Sequence, residues 1–305
     1  MTYELDHQDI REGVSKLCLG FPGEYWQKCD RNQAYPTEFV QALTQGGYLS
    51  ALIPEEYGGL GLPLSAGAAI LEEIHRAGGN AGACHAQMYT MGTILRHGSD
   101  AQKKQYLPSI SDGSLRLQAF GVTEPTSGTD TTALRTTAKR SGDHYIVNGA
   151  KTWTTLAQNA DWIFCLVRTE TTQKKQEGIS FLLIDMNTPG IEVKPIITID
   201  GDHEVNTVFF TDVKVPADQL IGEEGKGWTY AKFLLAHERF GIAGVPVCKV
   251  QISRLKEKTA HYNDSDLNKK IAEVEIDLMA LEFTELRALA AIAGGGHPGA
   301  ESSIL

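Results

Sequence analysis

The apolar residues of this chain change their spacing twice, and that change constrains the fold more than any single motif. Residues 1–114 carry helical patterns. Glu38-Phe39-Val40 to Leu43 is a short apolar face, and Leu64 to Arg76 runs Ala-rich into Leu71-Glu72-Glu73-Ile74 before Gly78-Gly79 stops it. Ala81 to Leu95 is a further Ala- and Met-rich stretch closed by Gly98, and Ser99 or Asp100 caps a helix predicted from Ala101 to Leu107 with Pro108 as its end. Residues 115–225 read as short strands. From 226 the helical period returns: Trp228 to Leu255 is apolar and interrupted by Gly241, Gly244 and Pro246. A second helix is predicted from about Leu267 to Ile292. Its apolar positions Leu267, Ile271, Val274, Leu278 and Leu281 step by four, three, four, three, the mark of a bundle seam.

The order helices, strands, helices predicts an α+β chain: an N-terminal helical domain over 1–114, a middle β-barrel-like domain over 115–225 and a C-terminal helical bundle over 226–305. In the middle block, Leu134 to Lys139 and His144 to Val147 flank a turn at Ser141-Gly142-Asp143. Asn148-Gly149 predicts a second hairpin turn, because both central residues of a type I′ turn need positive φ. Trp162 to Val167 and Ile179 to Ile184 read as buried strands, and Ile191 to Pro195 and Val208 to Val215 add two more. Short strands between turn residues favour a barrel or sandwich over a βαβ sheet. Two helices are too few for a free-standing bundle, and Ser302-Ser303-Ile304-Leu305 reads like the start of another. The seam is expected to meet further helices of a longer chain or another subunit.

Composition excludes several classes of function. The net charge of −10 argues against nucleic-acid binding, which needs basic patches. No apolar run approaches the roughly 18 residues of a membrane span, and the acidic start lacks a secretory pattern. Cys18, Cys29, Cys84, Cys165 and Cys248 are odd in number and scattered, without a C-x-x-C pair. Buried thiols in a reducing cytoplasm are therefore expected, rather than disulfides or a metal site.

The common nucleotide and nucleophile motifs are missing: there is no G-x-G-x-x-G after a strand, no Walker loop and no G-x-S-x-G. The densest unusual segment is Phe120-Gly121-Val122-Thr123-Glu124-Pro125-Thr126-Ser127-Gly128-Thr129-Asp130. Consecutive small residues let backbone N–H groups approach an anion closely, although residue types alone allow a plain strand-to-loop turn.

This segment resembles the flavin-binding loop of acyl-CoA dehydrogenases. Asn148-Gly149-Ala150-Lys151-Thr152-Trp153-Thr154-Thr155 resembles the same family's second flavin segment. Phe210 to Pro216 with Gly222 to Gly227, Pro54 to Gly59, and Gly98 through Tyr106-Leu107-Pro108 fit in family order. The resemblance implies an acyl-CoA dehydrogenase-like fold that binds FAD. Phe120, Val122 and Thr123 would line the isoalloxazine, and Gly128 and Thr129 would reach the flavin phosphate and the thioester side. Trp153 and Thr155 would cover the opposite flavin face, where an indole can stack and exclude water.

The implied reaction is α,β-dehydrogenation of an acyl-CoA thioester to the trans-2-enoyl product, with electrons passed to an electron-transfer flavoprotein. Removing the α-proton demands a positioned carboxylate. Glu238, in Leu234-Leu235-Ala236-His237-Glu238-Arg239-Phe240-Gly241, falls on one of the two places the family supplies it, and Arg239 resembles a buried Arg beneath the flavin. Both would contribute with Thr129 to substrate binding. The chain departs from many relatives in three ways. Ala236 replaces an Asp, the stretch Thr259 to Asp266 lacks the Arg that reaches a neighbouring subunit's FAD, and the late Glu-Gly segment is absent. These traits resemble bacterial members acting on dicarboxylyl or sterol side-chain thioesters. A homo- or hetero-oligomer is implied. Alternatives on the same scaffold are a flavin oxidase or monooxygenase, and a FAD-free partner subunit or thioester-binding module.

Overall fold

The computed structural model describes residues 7–237, 244–296 and 299–304. Helices come first: α1 (Gln8–Cys18), α2 (Gly23–Arg31), α3 (Thr37–Gln45), α4 (Leu64–Arg76), α5 (Gly82–Thr90), α6 (Gly92–His97) and α7 (Asp100–Ser111). Seven strands come next: β1 (Leu117–Gly121), β2 (Thr137–Ser141), β3 (His144–Thr155), β4 (Trp162–Arg168), β5 (Ile179–Asp185), β6 (Ile191–Ile196) and β7 (Val205–Pro216). The chain then returns to helix in α8 (Gly227–His237), α9 (Val245–Thr259) and α10 (Ser265–Ala293).

The α+β class and its helix–sheet–helix order are as expected. The seven strands form one curled sheet, ordered β1-β4-β2-β3-β7-β6, with β5 beside β4. Four of the pairs are antiparallel, but β1 and β2 each run parallel to β4. Strand alternation divides the core. Phe164 and Leu166 of β4 face the helices with Phe181 and Leu183 of β5. Ile163, Cys165 and Val167 face the inside of the curl with Tyr145, Val208 and Val213. Phe164 and Phe181 stack at 5.2 Å. Each such side chain, removed from water, contributes about 1.5–3 kcal/mol.

Four local expectations are corrected. Asn148-Gly149 is not a hairpin turn but lies inside β3, where the register with β7 shifts. Its Asn instead clasps β7: Asn148 Nδ2 donates to Asp212 Oδ1 at 3.0 Å, and Asp212 N donates to Asn148 Oδ1 at 2.9 Å. The glycine is required there by φ +149° and by Thr136, whose Oγ1 lies 2.5 Å from where a Cβ would sit. The β2–β3 reversal falls at Gly142 (φ +62°), as the Ser141-Gly142-Asp143 turn predicts.

Pro108 does not end its helix. α7 runs on to Ser111, started by a capping box between Ser99 and Gln102, because Leu107 and Ile110 are both buried and hold the last turn against the core. The predicted Ala81–Leu95 helix divides into α5 and α6, and the strand predicted from Leu134 begins at Thr137, after a short 3-10 turn over Thr131–Ala133. Cys18, Cys84 and Cys165 are buried thiols, which burial pushes up to about 11, 12 and 11 respectively.

The entry into α8 is anchored from two sides. Gln102 Nε2 donates to the carbonyls of Asp218 and Leu220, and Tyr106 OH donates to Gln219 Oε1 at 2.6 Å. Ile221 N donates to Phe181 O at 2.8 Å. Gly227 then lies flat on β5: a Cβ there would sit 2.5 Å from the Ser180 carbonyl carbon and 2.8 Å from Phe181 N. Gly227→Ala is therefore expected to cost about 1–3 kcal/mol, the usual range for overpacking, in a urea unfolding curve. An unchanged midpoint would show that α8 can lift without loss.

Candidate functional site

The two segments singled out in the sequence meet on the sheet. The loop after β1 and the second half of β3 are joined by Thr152 N, which donates to Thr123 O at 2.9 Å. One residue earlier, Lys151 Nζ donates to Val122 O at 3.2 Å and to Glu124 Oε1 at 2.9 Å. The Lys151 side chain is fully buried and that of Glu124 nearly so. Glu124 also accepts from two backbone donors, Arg135 N to Oε2 at 2.6 Å and Thr136 N to Oε1 at 2.9 Å. Burial alone would raise the Glu124 carboxyl, but the Lys151 ammonium and these donors hold it below its ordinary 4.5. Neither residue is among the predicted site residues. Each lies inside one of the two segments, but a Lys in a strand reads as an edge charge until its partner is known.

Beyond Lys151 the strand bulges. Lys151 pairs with Val208 and Thr154 with Asn206, so β3 carries one residue more than β7 between them. That bulge contains Trp153 at φ +59°, a residue 56% exposed. A bulky residue in the left-handed region costs roughly 1–3 kcal/mol and persists only where its surroundings enforce it. An indole that is both strained and presented to solvent is a mark of a functional surface.

The other predicted residues take these places. Phe120 is half-buried, edge-to-face with Phe181 at 5.6 Å, and Val122 and Thr123 are half-buried beside it in sequence. Gly128 and Thr129 are exposed. A Cβ on Gly128 would meet nothing within 4 Å, and among the described residues neither N–H has a hydrogen-bond partner. Ser127 Oγ donates to Asp130 O at 2.8 Å and Thr131 Oγ1 to Gly128 O at 3.1 Å, which fixes the loop that carries those donors. Thr155 ends β3 and borders a cavity of about 450 Å³ with Leu156, Trp26, Tyr35, Gly79 and His203. Glu238 and Arg239 lie outside the described residues.

The arrangement offers an accessible loop with free N–H donors, a half-buried aromatic and aliphatic wall, and a raised indole, all tied to one sheet. Those features fit a flat aromatic cofactor with a phosphate arm such as FAD. Among the described residues there is no His, Cys, Asp and Glu cluster able to hold a metal, and no helix long and apolar enough to cross a membrane.

Residues 4–114 match the N-terminal domain of acyl-CoA dehydrogenases and residues 119–213 their middle domain. The chain belongs to the acyl-CoA dehydrogenase family. It is similar to acyl-CoA dehydrogenase FadE29 of Mycobacterium tuberculosis, 42% identical over 232 residues that make up 76% of this chain and 59% of that protein. Among solved structures it resembles an acyl-CoA dehydrogenase from Geobacillus kaustophilus, with a TM-score of 0.91 at 26% identity over 98% of this chain and 82% of that one. It also resembles the Tcur3481-Tcur3483 steroid ACAD, with a TM-score of 0.83 at 27% identity over 97% and 78% of the two chains. The chain thus spans under three-fifths of the length of FadE29.

Proposed function

We propose that this chain is the FAD-binding part of an acyl-CoA dehydrogenase that converts an acyl-CoA thioester to its trans-2-enoyl product and passes electrons to an electron-transfer flavoprotein. The observation that carries this reading is the joining of the loop after β1 to the bulged end of β3 through Thr152 N and Thr123 O, the loop carrying unpaired N–H donors and the bulge an exposed Trp153. FAD, when bound, supplies the hydride-accepting chemistry. The protein's share is to hold and orient. Gly128 and Thr129 would receive the phosphate arm, Phe120, Val122 and Thr123 would flank the ring system, and Trp153 and Thr155 would shield one face from water. Glu238 would take the α-proton from the substrate, with Arg239 beneath the site.

The likeness to a steroid ACAD supports a bulky, non-linear acyl group as the substrate class. The decisive experiment is an anaerobic titration of the FAD-loaded chain with straight, branched and ring-bearing acyl-CoA thioesters, read by loss of flavin absorbance. Bleaching by a ring-bearing or branched thioester is the expected result. A colourless protein that cannot be loaded with FAD would favour a partner subunit or thioester-binding module, and rapid peroxide formation by the reduced protein would favour an oxidase.

Trp153→Ala is expected to lower FAD affinity by about tenfold or more, since an aromatic stack contributes up to roughly 1.5 kcal/mol beyond its buried area, while thioester binding changes less. The reverse pattern, seen by equilibrium titration of each ligand, would remove Trp153 from the cofactor site.

A further inference from the structure

The strained conformation of Trp153 needs a cause, and the two residues before it supply one. Trp153 is 56% exposed, so the hold on its backbone is to be sought in the segments that flank it. Thr152 is held by its N–H to Thr123 O and by its hydroxyl, 3.2 Å from Thr207 Oγ1 on β7. Lys151 is held more firmly, with its ammonium against Val122 O and Glu124 and no solvent access. Glu124 is in turn fixed by two backbone N–H groups just before β2, and Thr136 Oγ1 donates to Ala150 O at 3.3 Å. The chain on the N-terminal side of the bulge is therefore closed into a ring: loop, Glu124, residues 135–136, β3, Lys151 and back to the loop. On the C-terminal side, Asn206 Nδ2 donates to Thr154 O at 3.1 Å and to Gln158 Oε1 at 2.6 Å, and Asn206 Oδ1 lies 2.8 Å from His203 Nε2. Trp153 is the residue left between two clamped segments.

The geometry points to Glu124 and Lys151 as a positioning pair that locks the β3 bulge, holds Trp153 in its left-handed conformation and so sets where the indole stands against the cofactor. The cofactor half of this statement rests on the proposed flavin site; the backbone half does not. Two charges buried together are weak stabilisers when both are present, so a role in fixing one conformation accounts for the pair better than added stability does.

The test uses two altered chains. Glu124→Asp keeps the charge but withdraws the carboxylate from its three donors. The double substitution Glu124→Gln with Lys151→Met removes both charges and leaves neither uncompensated. Without cofactor, amide exchange is measured by mass spectrometry. In both variants the amides of residues 152–155 are expected to exchange about tenfold faster or more, as for a segment released to local opening, while residues 162–168 keep their protection. No change at 152–155, or an equal rise throughout the sheet, overturns the positioning role.

With FAD bound, flavin emission gives the second readout. Each pair variant should relieve quenching to the extent that Trp153→Phe does, and combining either with Trp153→Phe should add nothing, because the pair acts through the indole. Additive effects overturn the proposal. If the unaltered chain takes up no FAD, the flavin assignment fails, and the exchange experiment still decides whether the pair sets the bulge.

Discussion

Glu238→Gln is expected to leave FAD binding and the fold intact and to slow flavin reduction by an acyl-CoA by roughly 10²–10⁴-fold, the contribution of a well-placed general base. The amide keeps the size and polarity of the carboxyl but cannot accept the α-proton. The helix that leads to it is fixed. Gly227 lies on β5, Ala231 and Leu234 are buried, and the preceding turn is bonded to α7 and β5. Glu238 follows directly in sequence on His237, the last described residue of α8. Rapid-mixing absorbance should show thioester affinity near that of the unaltered chain with a slow bleaching phase, the split that marks an interaction made in the transition state. Glu238→Asp should fall between the two. A bleaching rate within about threefold of the unaltered chain would remove Glu238 as the base, since any general base contributes far more.

The sequence is informative where local and long-range preferences agree. Leu64–Arg76 is a helix in both sequence and structure because its apolar face and its Gly78-Gly79 stop point the same way. It is less informative where a tertiary partner decides. Asn148-Gly149 has the chemistry of a turn, yet Asp212 and Thr136 recruit both residues into a long strand. Pro108 has the chemistry of a helix stop, yet burial of Leu107 and Ile110 outweighs one lost backbone bond.

The seam on α10 is partly realised. Ile271 is buried while Val274 is 47% exposed, and Ile276, Met279 and Phe283 stand exposed as well. α9 meets α10 through Lys249–Glu282 and Lys256–Glu275, which leaves those apolar positions free among the described residues. The candidate site obeys the same rule. Its two segments are legible as motifs, but the ion pair joining them spans 27 residues, and the strain at Trp153 is invisible until β3 and β7 are in register.

That ion pair also governs the largest expected change in stability. Lys151→Met should destabilise the chain by about 3–5 kcal/mol at neutral pH, the cost of leaving one buried partner uncompensated. The buried carboxylate would keep its two backbone donors but lose the ammonium, and Val122 O would lose its donor.

The pH dependence has a definite sign. In the unaltered chain the Glu124 carboxyl is held below its ordinary 4.5. Its contribution to stability is thus fully present above that value and is lost as pH falls through the lower folded value. Without Lys151, burial is no longer offset by the ammonium and the carboxyl titrates higher, so the variant can protonate Glu124 under mildly acidic conditions where the unaltered chain cannot. Acidification therefore relieves the variant before it harms the parent. Urea unfolding at neutral pH and again near the carboxylate range should show the gap between the two chains narrowing as pH falls. A gap below about 1 kcal/mol at neutral pH would place the pair with ordinary surface salt bridges. A gap that does not change with pH would mean that the lost hydrogen bond to Val122 O, rather than the uncompensated charge of Glu124, is what the fold requires.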